Sequence, residues 1–120
     1  MKYYCFLLLL ITASCKPSQT LPDPLEAGWD GKKVCTVLSE TKSQRVLKCT
    51  FPPNVGHEKH YHKPHFGYTV SGSTFQITNE AGTRHVPVKT GTHWSTKELS
   101  EHHVLNTGDS TAVFLIIEAK

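Results

Sequence analysis

The chain has 120 residues, 38% of them hydrophobic and 19% charged, with a formal net charge of +3. Beyond an N-terminal leader, about 95 residues remain, enough for one domain that buries roughly 60–65% of its unfolded surface. Neither a Lys/Arg run nor an alternation of Arg with aromatic residues occurs, which argues against a nucleic-acid partner.

The leader starts with the short basic stretch Met1-Lys2-Tyr3-Tyr4. An apolar run over 5–11 follows, too short to span a bilayer. Thr12-Ala13-Ser14 and then Cys15 complete the pattern of a secretory signal over 1–14. A Cys directly after small residues resembles a bacterial lipoprotein signal, in which that Cys is lipidated and becomes the first mature residue. Thr12 stands where a Leu-like residue is usual. The expectation is lipidation at Cys15 and an exported protein held at the membrane, in the periplasm or on the cell surface. The alternative is an ordinary signal cleaved near Ser14. Residues 15–30, with Pro17, Pro22 and Pro24, read as a tether, and 31–120 as the domain.

No amphipathic helix is evident after residue 25. Short β-type runs separated by turn signals take its place. Runs over 34–38 and 45–51 form a hairpin. With Lys42 at the turn centre, Cys35 and Cys49 are each seven residues away and face one another. Opposed Cβ atoms lie about 4.5–5.5 Å apart, close to disulfide distance, and an exported compartment permits the bond. Two reduced core cysteines are the alternative. Further strands are expected over 57–62, 66–70, 74–78, 83–89, 102–105 and 112–118, with a short run starting at His93-Trp94. Many short strands at this spacing indicate an all-β sandwich or barrel.

All eight histidines lie between His57 and His103. His60 and His62, at i and i+2 on a strand, point to one face about 6–7 Å apart. That spacing suits two ligands of one ion, and imidazole is the commonest metal ligand. His65 could not share that face on a straight strand, but Pro64 favours a bend that brings it round.

At this point the chain resembles a cupin, a double-stranded β-helix or jelly-roll barrel. The first motif of that family has a His-x-His pair, then a Glu, then a Gly after six intervening residues. Here His60-x-His62 supplies the pair and Tyr68-Thr69-Val70-Ser71-Gly72 the ending, while His65 stands in the Glu position one residue early. The second motif is matched by Gly91, His102 and Asn106, with Lys97 and Leu99 in place of Pro and Gly. The likeness covers roughly residues 34 to 118. It implies a divalent transition metal (Fe, Mn, Ni, Cu or Zn) held by His60, His62, His65 and His102, and a small-molecule ligand beside it. A homodimer is a state the resemblance allows.

His57, His93, Trp94 and Tyr68 are the pocket candidates, and His57 replaces His60 as a ligand if the register slips. His103 is expected on the opposite face from His102, His85 exposed, and Phe66, Tyr68, Phe75 and Trp94 in the core. Asn106 reads as a turn former. Fold does not give function, and three readings follow. The chain is a metal-dependent enzyme of dioxygenase, isomerase or lyase type, a non-catalytic metal- or ligand-binding protein of the envelope, or a structural barrel with a degenerate site.

Overall fold

The computed structural model describes residues 20–120. The expected signal and the lipidated Cys15 lie outside the described residues. Eleven strands follow in order: β1 Gly28–Trp29, β2 Lys32–Lys33, β3 Cys35–Glu40, β4 Gln44–Phe51, β5 Gly56–His62, β6 His65–Ser71, β7 Ser73–Asn79, β8 Gly82–Val88, β9 His93–Thr96, β10 Ser100–Asn106 and β11 Ala112–Ala119. Each expected strand is present, extended by a few residues at most.

Nine of the strands form two antiparallel sheets, ordered β5-β10-β7-β8 and β3-β4-β11-β6-β9, and β1 pairs with β2 in a separate two-stranded ribbon. The chain crosses repeatedly between them, as in a double-stranded β-helix. The apolar side chains that alternate inward from both sheets meet in one core: Leu47, Phe51, Phe75, Val104, Phe114 and Ile116. Phe51, Phe75 and Phe114 pack edge to face, with ring centroids 5.4–5.8 Å apart. Asn106 is fully buried and fully satisfied. Its amide donates to the Phe51 and Ser110 carbonyls, and its Oδ1 accepts from Ser73 Oγ and the Gly108 amide. It therefore ties together three chain segments rather than serving chemistry. Pro87, which cannot donate to a ladder, lies on the edge strand β8.

β3 and β4 pair with Cys35 opposite Cys49, and the two are joined by a disulfide. The chain-entropy model gives a cross-link of this 14-residue separation a stabilisation of about 3 kcal/mol. Denaturation with and without reductant is expected to show a loss of that size. An unchanged midpoint would mean that the hairpin is equally constrained without the bond.

Two features depart from expectation. The described part of the presumed tether is folded. Ala27 and Pro24 are buried, the Tyr61 amide donates to the Pro22 carbonyl, and Asp30-Gly31 turns β1 into β2 with positive φ at both residues. The packed unit thus begins near residue 21, not at 31. The other departure is in β5. His102 pairs with His60 but Val104 with His57, so β5 carries one extra residue, a β-bulge.

Candidate metal centre

Because of the bulge, β5 turns three histidines inward, His57, His60 and His62, where simple alternation allows two. His102 reaches the same space from β10. Lys63-Pro64 carries the chain across to the opposite sheet, where His65 opens β6 and also faces in. Ring centroids of His102 lie 4.7 Å from His60 and 5.0 Å from His62. One ring nitrogen from each of His60, His62 and His102 falls within 4.8 Å of the others.

The partners of these rings fix their tautomers. His60 Nδ1 lies 2.6 Å from the Glu58 carbonyl, which can only accept, so that nitrogen carries the hydrogen. His62 Nδ1 likewise donates to Glu118 Oε1 at 3.2 Å. The Nε2 atoms of both rings then face into the site, 2.9 Å apart. Two bare lone pairs at that distance repel unless a proton or a metal ion lies between them. Nitrogens sharing a metal at about 2.0–2.1 Å sit roughly 3.0–3.4 Å from each other, so a small adjustment seats an ion. Burial pushes His60 down to about 2 and His102 down to about 3, reinforced by the neighbouring imidazoles, which keeps both rings in the neutral, ligating form. The donor set therefore fits a divalent transition metal, and three imidazoles do not choose among Fe, Mn, Ni, Cu and Zn.

Glu118 escaped the sequence reading. It lies at the end of β11, 1% exposed, between His62 and Arg45 Nε, which donates to Glu118 Oε2 at 2.7 Å. Burial alone would raise its carboxyl, but the hydrogen bonds from His62 and Arg45 hold it below the usual range. Arg45 extends the chain of contacts to Asp23 at 2.8 Å. The line Asp23–Arg45–Glu118–His62 is the carboxylate–histidine support commonly found behind metal ligands. Ala112, Phe114 and Ile116 all face inward, so counting by twos along the strand reaches Glu118.

Three of the four expected ligands thus converge, and the fourth does not join them. Trp94 Nε1–H donates to His65 Nε2 at 3.1 Å, while His65 Nδ1–H donates to the Lys63 carbonyl at 2.8 Å. With its lone pair engaged, His65 forms the wall of the site, its titration lowered by burial. His57 is held away from ligation as well. Its Nε2 donates between the Pro24 and Ala27 carbonyls at 3.1 and 3.3 Å, and its ring lies 3.8 Å from that of His60. It is a prop for His60, not a substitute.

Beside the cluster lies a cavity of about 350 Å³, at the lower end for small-molecule sites. Phe51, Phe75, Phe114, Ile116 and Trp94 give it an apolar wall, and His57 also lines it. Trp94 covers Gly67, where a Cβ would collide with the indole. Tyr68 and His93, expected in the pocket, lie outside it. His65, Gly67 and Thr69 take the inward positions of β6, so Phe66 and Tyr68 face outward and are 38% and 39% exposed. His93 stacks on Phe66 on that outer surface. His103 packs on Trp29, away from His102, and His85 is exposed.

Fold and site together define a cupin-type barrel carrying a three-histidine cluster. Neither a protein-family model nor a curated protein matches the sequence. Among solved structures, the chain is similar to a cupin domain from Bordetella pertussis Tohama I, at 24% identity and TM-score 0.67, over 72% of this chain and 92% of that one. A protein with a double-stranded β-helix domain from Klebsiella pneumoniae matches at 18% identity and TM-score 0.61, over 75% and 78% of the two chains. The polyketide cyclase RemF from Streptomyces resistomycificus matches at 18% and TM-score 0.57, over 79% and 73%. At these identities the likeness establishes the fold.

Proposed function

We propose that this chain is a metal-dependent enzyme of the cell envelope acting on a small organic molecule. The observation that carries this reading is the convergence of the His60 and His62 Nε2 atoms at 2.9 Å, with His102 beside them and an apolar cavity alongside. Three protein ligands leave a coordination position open, the arrangement of catalytic rather than structural sites. His60, His62 and His102 would hold the ion, which supplies Lewis-acid polarisation of a coordinated ligand oxygen. Glu118 and the Glu58 carbonyl orient the ligand rings. His65 and Trp94 wall the site, and the three phenylalanines exclude water from it. The cyclase among the similar structures is consistent with catalysis on this fold.

The test is elemental analysis of the full chain, purified without a polyhistidine tag. About one equivalent of a transition metal is expected in the wild type, none in His102→Ala, and an undiminished content in His65→Ala. A folded wild type that neither carries nor takes up Fe, Mn, Ni, Cu or Zn sinks the reading. Loss of metal in His65→Ala would instead indicate a closed four-ligand cage.

One observation favours a non-catalytic binding protein as the second reading. Among the described residues no Asp or Glu lines the cavity, and Glu118 is committed to two partners, so no free carboxylate base faces the ligand. Turnover by metal-loaded protein would decide between the two.

The envelope location is supported by the signal-like leader and by the disulfide, a bond of oxidising compartments. Cell fractionation is expected to find the wild type with membranes and Cys15→Ala released from them. Membrane association that survives the substitution would rule out anchoring through Cys15.

A further inference from the structure

The cavity beside the three histidines also shows which ligand chemistry it takes, an inference that rests on the site reading above. Val104 pairs with Ile77, and Ile77 with Arg84, so these three form one row across β10, β7 and β8 that runs from buried Val104 through half-buried Ile77 to exposed Arg84. His102 is the next residue on the same face of β10 beyond Val104. Neighbouring strands lie roughly 4.8 Å apart, so Arg84 springs from the edge strand about two such spacings from the strand of His102. Its side chain is exposed to water and also lines the cavity.

The company it keeps is unusual. Arg45, the chain's other arginine, is held by two carboxylates. Arg84 has neither an ion pair nor a side-chain hydrogen bond among the described residues, and no Asp or Glu lines the cavity it enters. The remaining lining is aromatic and aliphatic, apart from the imidazoles and a few neutral polar groups that include Asn79, two residues beyond Ile77 on β7. Water hydrates this exposed guanidinium, but with no carboxylate beside it its donors stay open to an anion, and arginine matches a carboxylate in planar, two-point geometry. A metal on the histidines adds positive charge at the other end, with nothing acidic in the lining to offset it.

We propose that Arg84 determines the specificity of this cavity by pairing with the carboxylate of a small monoanionic organic acid, whose apolar or aromatic body lies against Phe51, Phe75 and Phe114.

The probes are phenylacetate and its neutral isostere phenylacetamide, titrated calorimetrically into the full chain, both loaded with zinc and stripped by a chelator. Phenylacetate is expected to bind roughly 2- to 5-fold more tightly than the amide, the range of an ion pair open to water. Arg84→Gln removes the preference while metal content stays unchanged, and Arg84→Lys retains part of it. Equal binding of acid and amide by the wild type overturns the proposal without recourse to any variant, as does failure of both to bind. A preference that persists in Arg84→Gln and vanishes on stripping would assign the anion to the metal and likewise overturn it. An acid preference in the stripped protein that depends on Arg84, in a chain that takes up no metal, would leave this inference standing and remove only the metal reading.

Discussion

Glu118→Ala is expected to cost about 3–5 kcal/mol of stability and to weaken metal binding roughly 10- to 100-fold. The stability loss comes from Arg45, which is 14% exposed and receives only Asp23 once Glu118 is gone. A buried guanidinium deprived of its nearer carboxylate keeps the desolvation cost and loses the compensation. The affinity loss comes from His62, whose Nδ1 hydrogen no longer has an acceptor, so the ring is free to rotate or to change tautomer. Glu118→Gln separates the two effects, because its amide oxygen still accepts one of the two donors but offers no charge. Urea denaturation of the stripped protein reports the first effect, and competition with a chelator reports the second. A Glu118→Ala protein with wild-type metal affinity would show that His62 is oriented by packing alone.

Acid should destabilise the metal-free protein well above the range in which carboxylates titrate. Burial is the main cause that holds His57 at about 4, His60 at about 2 and His102 at about 3, all below the ordinary value of 6.5. The unfolded chain therefore binds more protons than the folded one between pH 6.5 and those values, and stability rises with pH across that window. Lowering the pH from 7 to 5 costs about 2 kcal/mol for each such ring at 1.36 kcal/mol per pH unit. The carboxyls of Glu118 and Asp23 are held below their ordinary values, so their stabilising contribution is lost only as the pH falls through and below about 4. The urea midpoint of chelator-treated protein should accordingly drop steeply between pH 7 and 5. A flat profile there would mean that water reaches the imidazoles in the absence of metal. Metal-loaded protein should hold its midpoint to lower pH, since the ion binds only the folded, unprotonated rings.

Alternation and turn chemistry made much of this legible in the sequence. The pairing of Cys35 with Cys49 follows from their equal distances to Lys42 and is observed, while a register shift between Val37 and Ser39 moves the turn by half a residue and pairs Ser39 with Val46. His60, His62 and His102 follow from motif spacing. The misplacements arise where hydrophobicity was read without phase. The 66–70 run is apolar on both faces, and its composition alone points Phe66 and Tyr68 to the core. Fixing His65 as inward would have turned them out. Glu118 was hidden at the end of the most hydrophobic strand, although it is in phase with Ile116. The roles of His65 and His57 were not readable at all. They depend on Trp94, Pro24 and Ala27, contacts that come from 29, 33 and 30 residues away in sequence. The Asp30-Gly31 dipeptide did offer a hairpin signal inside the presumed tether.

The extra residue in β5 has an electrical consequence. Counting back from His62 by twos passes through His60 to Glu58, so a strand in unbroken register would have sent a carboxylate into the interior. The bulge leaves Glu58 exposed and gives its backbone carbonyl to His60, while an uncharged imidazole, His57, takes the inner place. One added peptide unit thus removes a whole negative charge from the barrel without altering the identity of any side chain. The sign of the chamber, and with it the kind of guest that Arg84 can hold, is set by a local miscount between two strands.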